Sequence, residues 1–245
     1  MIKFFYLILI MSFRSVSSGT LQRMAKSAYK KETQNIDGWQ YIEGNDWIKV
    51  YGRGDEIIIS TRGSQSSEDW TDANRRIPFN QLESSAVYQR DEDFIKQFKL
   101  EHPEYTKYYA VGHSLSGAIN DIYLRKGLVS EAVSFNPAVE TQYFNKSVPN
   151  HRRIYMSDDP LYNIMGRRLN QKPEVRPSQR SWGTWLSRFS PVGSLVSAHH
   201  SLEAHDIDRF SESTSIQQMH GGNNFIRLPR EPHTLPESLK LQLQD

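Results

Sequence analysis

The sequence predicts an α/β fold, a three-layer sandwich with a mainly parallel central sheet. Three observations predict it. Strand-like and helix-like segments alternate over residues 45 to 160, as in folds whose helices cover both faces of a sheet. The aromatic run Tyr105 to Tyr109 leads into Val111-Gly112-His113-Ser114-Leu115-Ser116-Gly117, which reads as a strand, a sharp turn and a helix. Ala132 to Phe135 and Arg153 to Met156 supply two further short apolar strands bounded by turn residues.

Taken in order, the chain opens with Met1-Ile2-Lys3 and an apolar run from Phe4 to Met11, far shorter than the ~20 residues that span a bilayer. Residues 1–18 read as a signal peptide or N-terminal hydrophobic segment, with a cut before Gly19 and hence secretion or lumenal entry. A buried first strand, or a true start at Met11, are the competing readings. Leu21 to Lys31 reads as a basic helix. Trp47 to Tyr51 and Glu56 to Thr61, joined through Gly52-Arg53-Gly54-Asp55, read as a β-hairpin. A helix over 83 to 100 carries Val87, Phe94, Ile95 and Phe98 on one face, and Pro103 breaks the chain before the next strand. After the sharp turn, Leu115, Ala118, Ile119, Ile122 and Tyr123 form one apolar stripe at helical spacing.

With 245 residues, one core domain over 19–210 is the natural count, followed by a polar Pro- and Gly-containing tail over 211–245 that reads as disordered. A net charge of +2, with basic residues not interleaved with aromatics, argues against nucleic acid as a partner. The absence of cysteine excludes disulfides and thiolate-bound metal.

The segment around Ser114 carries the chemistry. A serine hydroxyl needs a neighbouring base and an exposed, strained perch before it attacks a carbonyl, and small residues around it supply that perch. Gly112 lets the strand pass close to the helix. At the helix N-terminus, the amide of Leu115 points where negative charge develops on a tetrahedral intermediate, which is half of an oxyanion hole. Ser116 stands where the usual G-x-S-x-G pattern has its second glycine.

These residues resemble the class 3 lipases of the fungal triacylglycerol lipase type, whose members commonly carry GHSLGG where this chain has GHSLSG. Further short matches run in the same order over roughly residues 35 to 210. Glu56 to Ser64 is similar to the family strand ending in R-G-T or R-G-S, with Asp69-Trp70 after it, and the resemblance makes Ser64 the second oxyanion contributor. Ala132 to Pro137 and Arg153 to Leu161 are similar to the strands that follow. The fold implied is α/β-hydrolase-like, and the activity implied is hydrolysis of lipid esters.

An α/β-hydrolase orders its triad serine, acid, histidine along the chain, and this sequence offers that order. Asp159, beside Asp158 and before Pro160-Leu161, is the candidate acid; the competing reading is that the pair caps a turn. His205 is the candidate base, with His200 as the alternative, both in a helical-looking stretch that also holds His199. At most one can serve, because one imidazole must touch both the serine and the acid. His113 reads as packing beside the nucleophile. Residues 65 to 82 occupy the place of a lid, the competing reading being a plain connecting loop, and residues 162 to 198, with Arg167, Arg168, Arg176 and Arg180 ahead of Trp182, Trp185, Leu186 and Phe189, have the composition either of a transient membrane or lipid-interface contact or of core packing. The expected partner is a lipid ester substrate, with no cofactor, no metal and no obligate protein partner inferred. A rival from another class is a lipase fold without turnover that binds lipid or membrane, suggested by Ser116 in place of glycine and by the doubled histidine assignment.

Overall fold

The hairpin expected from Trp47 to Thr61 forms as β2 (Ile48–Arg53) and β3 (Glu56–Thr61), an antiparallel pair that starts the sheet. The computed structural model describes residues 16–64, 70–177 and 205–210. Ahead of β2 lies an edge strand, β1 (Gln40–Gly44), antiparallel to it and irregular in register between Tyr41 and Glu43. From β3 onward every neighbour is parallel: β4 (Lys107–His113), β5 (Glu131–Phe135), β6 (His151–Met156) and β7 (Glu174–Arg176). The order across the sheet is the order along the chain.

Both faces are covered, so the strands are nearly continuous apolar runs rather than alternating ones. Ile57, Ile59 and Ala110 face one core with the helices α2 (Ala86–Glu101) and α3 (Leu115–Arg125). Ile58, Tyr109, Val111, Val133 and Ile154 face the other, under α1 (Ser18–Ser27) and the segment 205–210. The period-two alternation therefore sorts β4 cleanly: Tyr108 and Ala110 lie in the first core, Tyr109 and Val111 in the second.

The helix α1 begins three residues before the expected Leu21. Ser17 caps it, accepting from the Thr20 amide at 3.0 Å, and Val16 is buried in the second core. A cut before Gly19 would remove both. Residues 1–15 and the tail 211–245 lie outside the described residues, as do residues 65–69 of the expected lid. Of its apolar residues, Ile77 is buried and Phe79 is exposed. In the Arg- and Trp-rich region, Arg167 and Arg168 are exposed, but Arg176 is buried in β7, paired with Glu174 and lying over the Phe210 ring. Arg180, Trp182, Trp185, Leu186 and Phe189 lie outside the described residues.

The amphipathic stripe expected for α3 is only half of its burial. Ser116, Gly117, Asn120 and Asp121 are buried as fully as Ile119 and Ile122. Asn120 and Asp121 can be there because β5 and β6 meet them with polar groups. Asn120 Nδ2 donates to Ser134 Oγ at 3.0 Å, and Asp121 Oδ1 accepts from His151 Nδ1 at 2.7 Å and from Arg153 at 2.5 Å.

Candidate active site

The candidate site lies at the carboxyl ends of the parallel strands, where such sheets form their sites. Ser114 follows the last residue of β4 and caps α3. Its backbone has φ 62° and ψ −124°, a left-handed conformation costing a non-glycine residue on the order of 1–3 kcal/mol. The turn is held from three sides: the Ser114 amide donates to Phe135 O, and the Ser114 carbonyl accepts from the amides of Gly117 and Ala138.

Two glycines let the layers close on this turn. A Cβ at Gly112 would stand 1.9 Å from Ser116 Oγ, so the strand passes against the first turn of α3, and a Cβ at Gly117 would stand 2.1 Å from Pro137 Cβ. Ser116 is fully buried and donates to the His113 carbonyl at 3.0 Å. Its departure from the glycine pattern is thus accommodated inside the packing, and its hydroxyl is engaged away from the cleft.

Asp159 terminates the turn after β6 and begins a short helix, α4 (Pro160–Ile164). The two carboxylate oxygens have different partners. One carboxylate oxygen accepts from the amides of Leu161 and Tyr162, at 2.7 and 3.3 Å; the other faces His205 Nδ1 at 2.8 Å. Pro160 does not stop the strand, which ends at Met156; it occupies the first helical position, where a missing N–H is no loss. Asn136, at φ 42°, accepts from the Met156 amide through its side chain and so fixes the end of β6 against β5.

His205 reaches Ser114 Oγ with Nε2 at 2.7 Å. Because a carboxylate only accepts, the Nδ1 facing Asp159 carries the proton and Nε2 is left as the acceptor for the serine hydroxyl. The residue stands in a turn, not in the helix expected for this stretch. Contacts from several elements hold that irregular segment: Gln22 donates to Ile207 O at 3.0 Å, Lys26 pairs with Asp208, and Arg209 pairs with Asp158 at 3.0 Å. Phe210 packs edge-on against Phe135, with ring centroids 5.0 Å apart. His199 and His200, the alternative base, lie outside the described residues.

Ser64 lies in the loop after β3, its hydroxyl donating to Asn74 Oδ1 at 3.1 Å. The neighbouring Gly63 is in close contact with the nucleophile, since a Cβ there would be 3.1 Å from Ser114 Cβ. Leu115 is the first residue of α3, so its amide is one of those a helix leaves without an internal partner. Asp69 of the expected pair lies outside the described residues.

His113 was expected only to pack, and it does more. It is buried, Nδ1 lies 3.0 Å from the Tyr29 hydroxyl, and Nε2 lies 2.7 Å from the carbonyl oxygen of His205. Burial, reinforced by the adjacent His205, holds its pKa well below 6.5. Tyr29 was also missed. Strand parity carried the signal for His113: it shares a face with Tyr109 and Val111, under α1, where no solvent reaches it.

A second Ser-His-Asp line exists, Ser134–His151–Asp121, with 2.7 Å at each contact. All three residues are buried; Ser134 sits inside β5, and Arg153 shares the carboxylate. It is a packing network, whereas Ser114 and His205 are only partly buried. Among the described residues no three His, Asp or Glu side chains converge as metal ligands, and no helix is long and apolar enough to cross a membrane.

Solved structures similar to this chain include two fungal lipases. One is a triacylglycerol lipase from Penicillium expansum, 16% identical, matched over 65% of this chain and 77% of that one with a TM-score of 0.42. The other is the Lip2 lipase from Yarrowia lipolytica, 14% identical, matched over 65% and 76% with a TM-score of 0.37. No protein-family model and no curated protein sequence matches.

Proposed function

We propose that the chain is a serine-dependent carboxylic ester hydrolase that acts on lipid esters through an acyl-enzyme at Ser114. The observation that carries this reading is one imidazole bridging two partners: His205 lies 2.7 Å from the hydroxyl of a serine on a strained turn and 2.8 Å from a buried carboxylate. In this reading His205 Nε2 takes the Ser114 proton as the oxygen attacks the ester carbonyl carbon. Asp159 orients the imidazole and stabilises its cationic form. The Leu115 amide and Ser64 hold the oxyanion, and collapse of the tetrahedral intermediate breaks the ester bond as His205 returns the proton to the leaving alcohol. Water, deprotonated by His205, then releases the acid.

The preference for lipid esters comes from the resemblance of the GHSLSG segment and its neighbours to class 3 lipases. The rival reading, an inert lipid-binding module, draws on Ser116 and on the choice between His200 and His205; the burial of Ser116 against Gly112 and the contacts of His205 with Ser114 and Asp159 support the hydrolase reading over it. Hydrolysis of short- and long-chain esters by the wild type and by Ser114→Ala tests the proposal. Activity lost in Ser114→Ala and strongest on long-chain esters is the expected result. Activity retained in Ser114→Ala would overturn the mechanism, and activity confined to short, soluble esters would overturn the substrate class.

A further inference from the structure

We propose that His113 is a positioning residue: its imidazole and the Tyr29 hydroxyl form a directed hydrogen-bond chain that locks the oxyanion loop, the nucleophile turn and the base segment to one another. This rests on the hydrolase reading above, but the chain itself is argued from geometry alone.

Its direction follows from one fixed point. The His205 carbonyl oxygen can only accept, so His113 Nε2, 2.7 Å away, must carry the proton. Nδ1 is then the acceptor, and the Tyr29 hydroxyl donates to it at 3.0 Å, a shorter contact than the 3.4 Å to the His113 carbonyl oxygen. With its proton so directed, the phenol oxygen accepts from the Gly63 amide at 3.0 Å. The chain therefore runs Gly63 N–H to Tyr29 O–H to His113 Nδ1, and His113 Nε2–H to the His205 carbonyl. The chain joins four elements: the loop after β3, the turn after α1, the end of β4 and the segment 205–210.

Three of these elements carry or adjoin a proposed working group. Gly63 precedes Ser64, His113 precedes Ser114, and the final acceptor is the backbone of His205 itself. His205 has few local restraints, since it stands in a turn, yet its ring must meet Ser114 and Asp159 at once. The His113 ring also packs against the His205 ring, with centroids 4.7 Å apart and planes tilted by 37°. Burial suits this role, because a neutral imidazole can both donate and accept, whereas a protonated one has no acceptor for Tyr29. Space around the chain is tight: a Cβ at Gly63 would fall 2.3 Å from the Tyr29 hydroxyl and 2.5 Å from the His113 carbonyl oxygen.

The test uses the full chain and two independent readings. Imidazole nitrogen–proton correlation spectra of the wild type should show His113 as the Nε2–H tautomer, and Tyr29→Phe should move its Nδ1 resonance. Kinetics on a soluble ester should show His113→Phe, which keeps a ring but neither hydrogen bond, losing kcat by about 10²-fold with little change in KM, the scale of a misplaced catalytic group. His113→Gln, which retains a donor for the His205 carbonyl, should recover part of that loss, and Tyr29→Phe should fall between wild type and His113→Phe. An Nδ1–H tautomer or an imidazolium at neutral pH would overturn the chain even if His113→Phe fails to fold. A folded His113→Phe with wild-type kcat would overturn the positioning role while leaving the hydrolase intact. A wild type with the stated tautomer but no hydrolysis and no labelling of Ser114 by a fluorophosphonate would instead sink the hydrolase reading, and the catalytic role of His113 with it.

Discussion

Replacing Gly112 by alanine probes how closely β4 and α3 must approach to build the nucleophile turn. The added methyl would sit 1.9 Å from Ser116 Oγ and 2.7 Å from Ser116 Cβ, where ordinary contact begins near 3.4 Å. The helix or the strand must move, and overpacking of this kind costs about 1–3 kcal/mol. Truncating the obstacle offers the matching rescue. Ser116→Gly alone loses about 0.5–1 kcal/mol of helix propensity and about 0.5–1.5 kcal/mol from the hydrogen bond to His113 O. In the double variant both Ser116 atoms are gone, and the next neighbour of the new methyl is Asn120 Nδ2 at 3.4 Å. The two lesions should therefore be far from additive, with an interaction energy of about 1–3 kcal/mol in favour of the double variant. Urea melts of the four proteins measure it, and phosphonate labelling of Ser114 should slow in Gly112→Ala and recover in the double. Strict additivity, or a Gly112→Ala protein as stable as wild type, would refute the close-packed turn and with it the explanation of why serine is tolerated at 116.

Three further outcomes follow from the same contacts. Asp159→Asn should leave stability nearly unchanged, since asparagine caps a helix as well as aspartate does, but lower kcat by about 10³–10⁴-fold because its amide group facing His205 disfavours the working tautomer; equal losses of stability and activity would contradict the division of labour between the two oxygens. His113 and His151 are both held below their usual pKa of 6.5 chiefly by burial, so the unfolded chain binds protons that the folded chain does not. Stability should be full above about pH 6.5 and fall below it, by up to about 1.4 kcal/mol per pH unit for each residue, and denaturant midpoints unchanged between about pH 7.5 and 5.5 would contradict this. Asp121→Ala should destabilise by about 3–5 kcal/mol, because it leaves the buried Arg153 guanidinium without its carboxylate; a thermal melt within experimental error of wild type would refute that pairing.

Much of this architecture is readable in the sequence because its determinants are local. The strand-turn-helix at Ser114 has small residues at 112 and 117, and the hairpin of β2 and β3 turns at Gly54-Asp55 between two apolar runs. What escaped depends on partners far along the chain. The edge strand β1 is too exposed to show alternation, and β7 is three residues long, so each is defined by the strand it pairs with. Asn120 and Asp121 look like the solvent face of α3 until Ser134, His151 and Arg153 come to meet them. His205 looks helical from its neighbours, but its segment 205–210 is held by Gln22, Lys26, His113 and Asp158, none of which is adjacent in sequence. The candidate triad was legible by residue type and order, and its supporting shell was not.

The most direct test of the catalytic proposal is to react the folded protein with a fluorophosphonate probe and locate the adduct by mass spectrometry in the wild type, Ser114→Ala, His205→Ala and His200→Ala. The account predicts a single adduct on Ser114, retained in His200→Ala and lost or slowed by orders of magnitude in His205→Ala. An unlabelled wild type, or an adduct that persists in His205→Ala and disappears in His200→Ala, would contradict it.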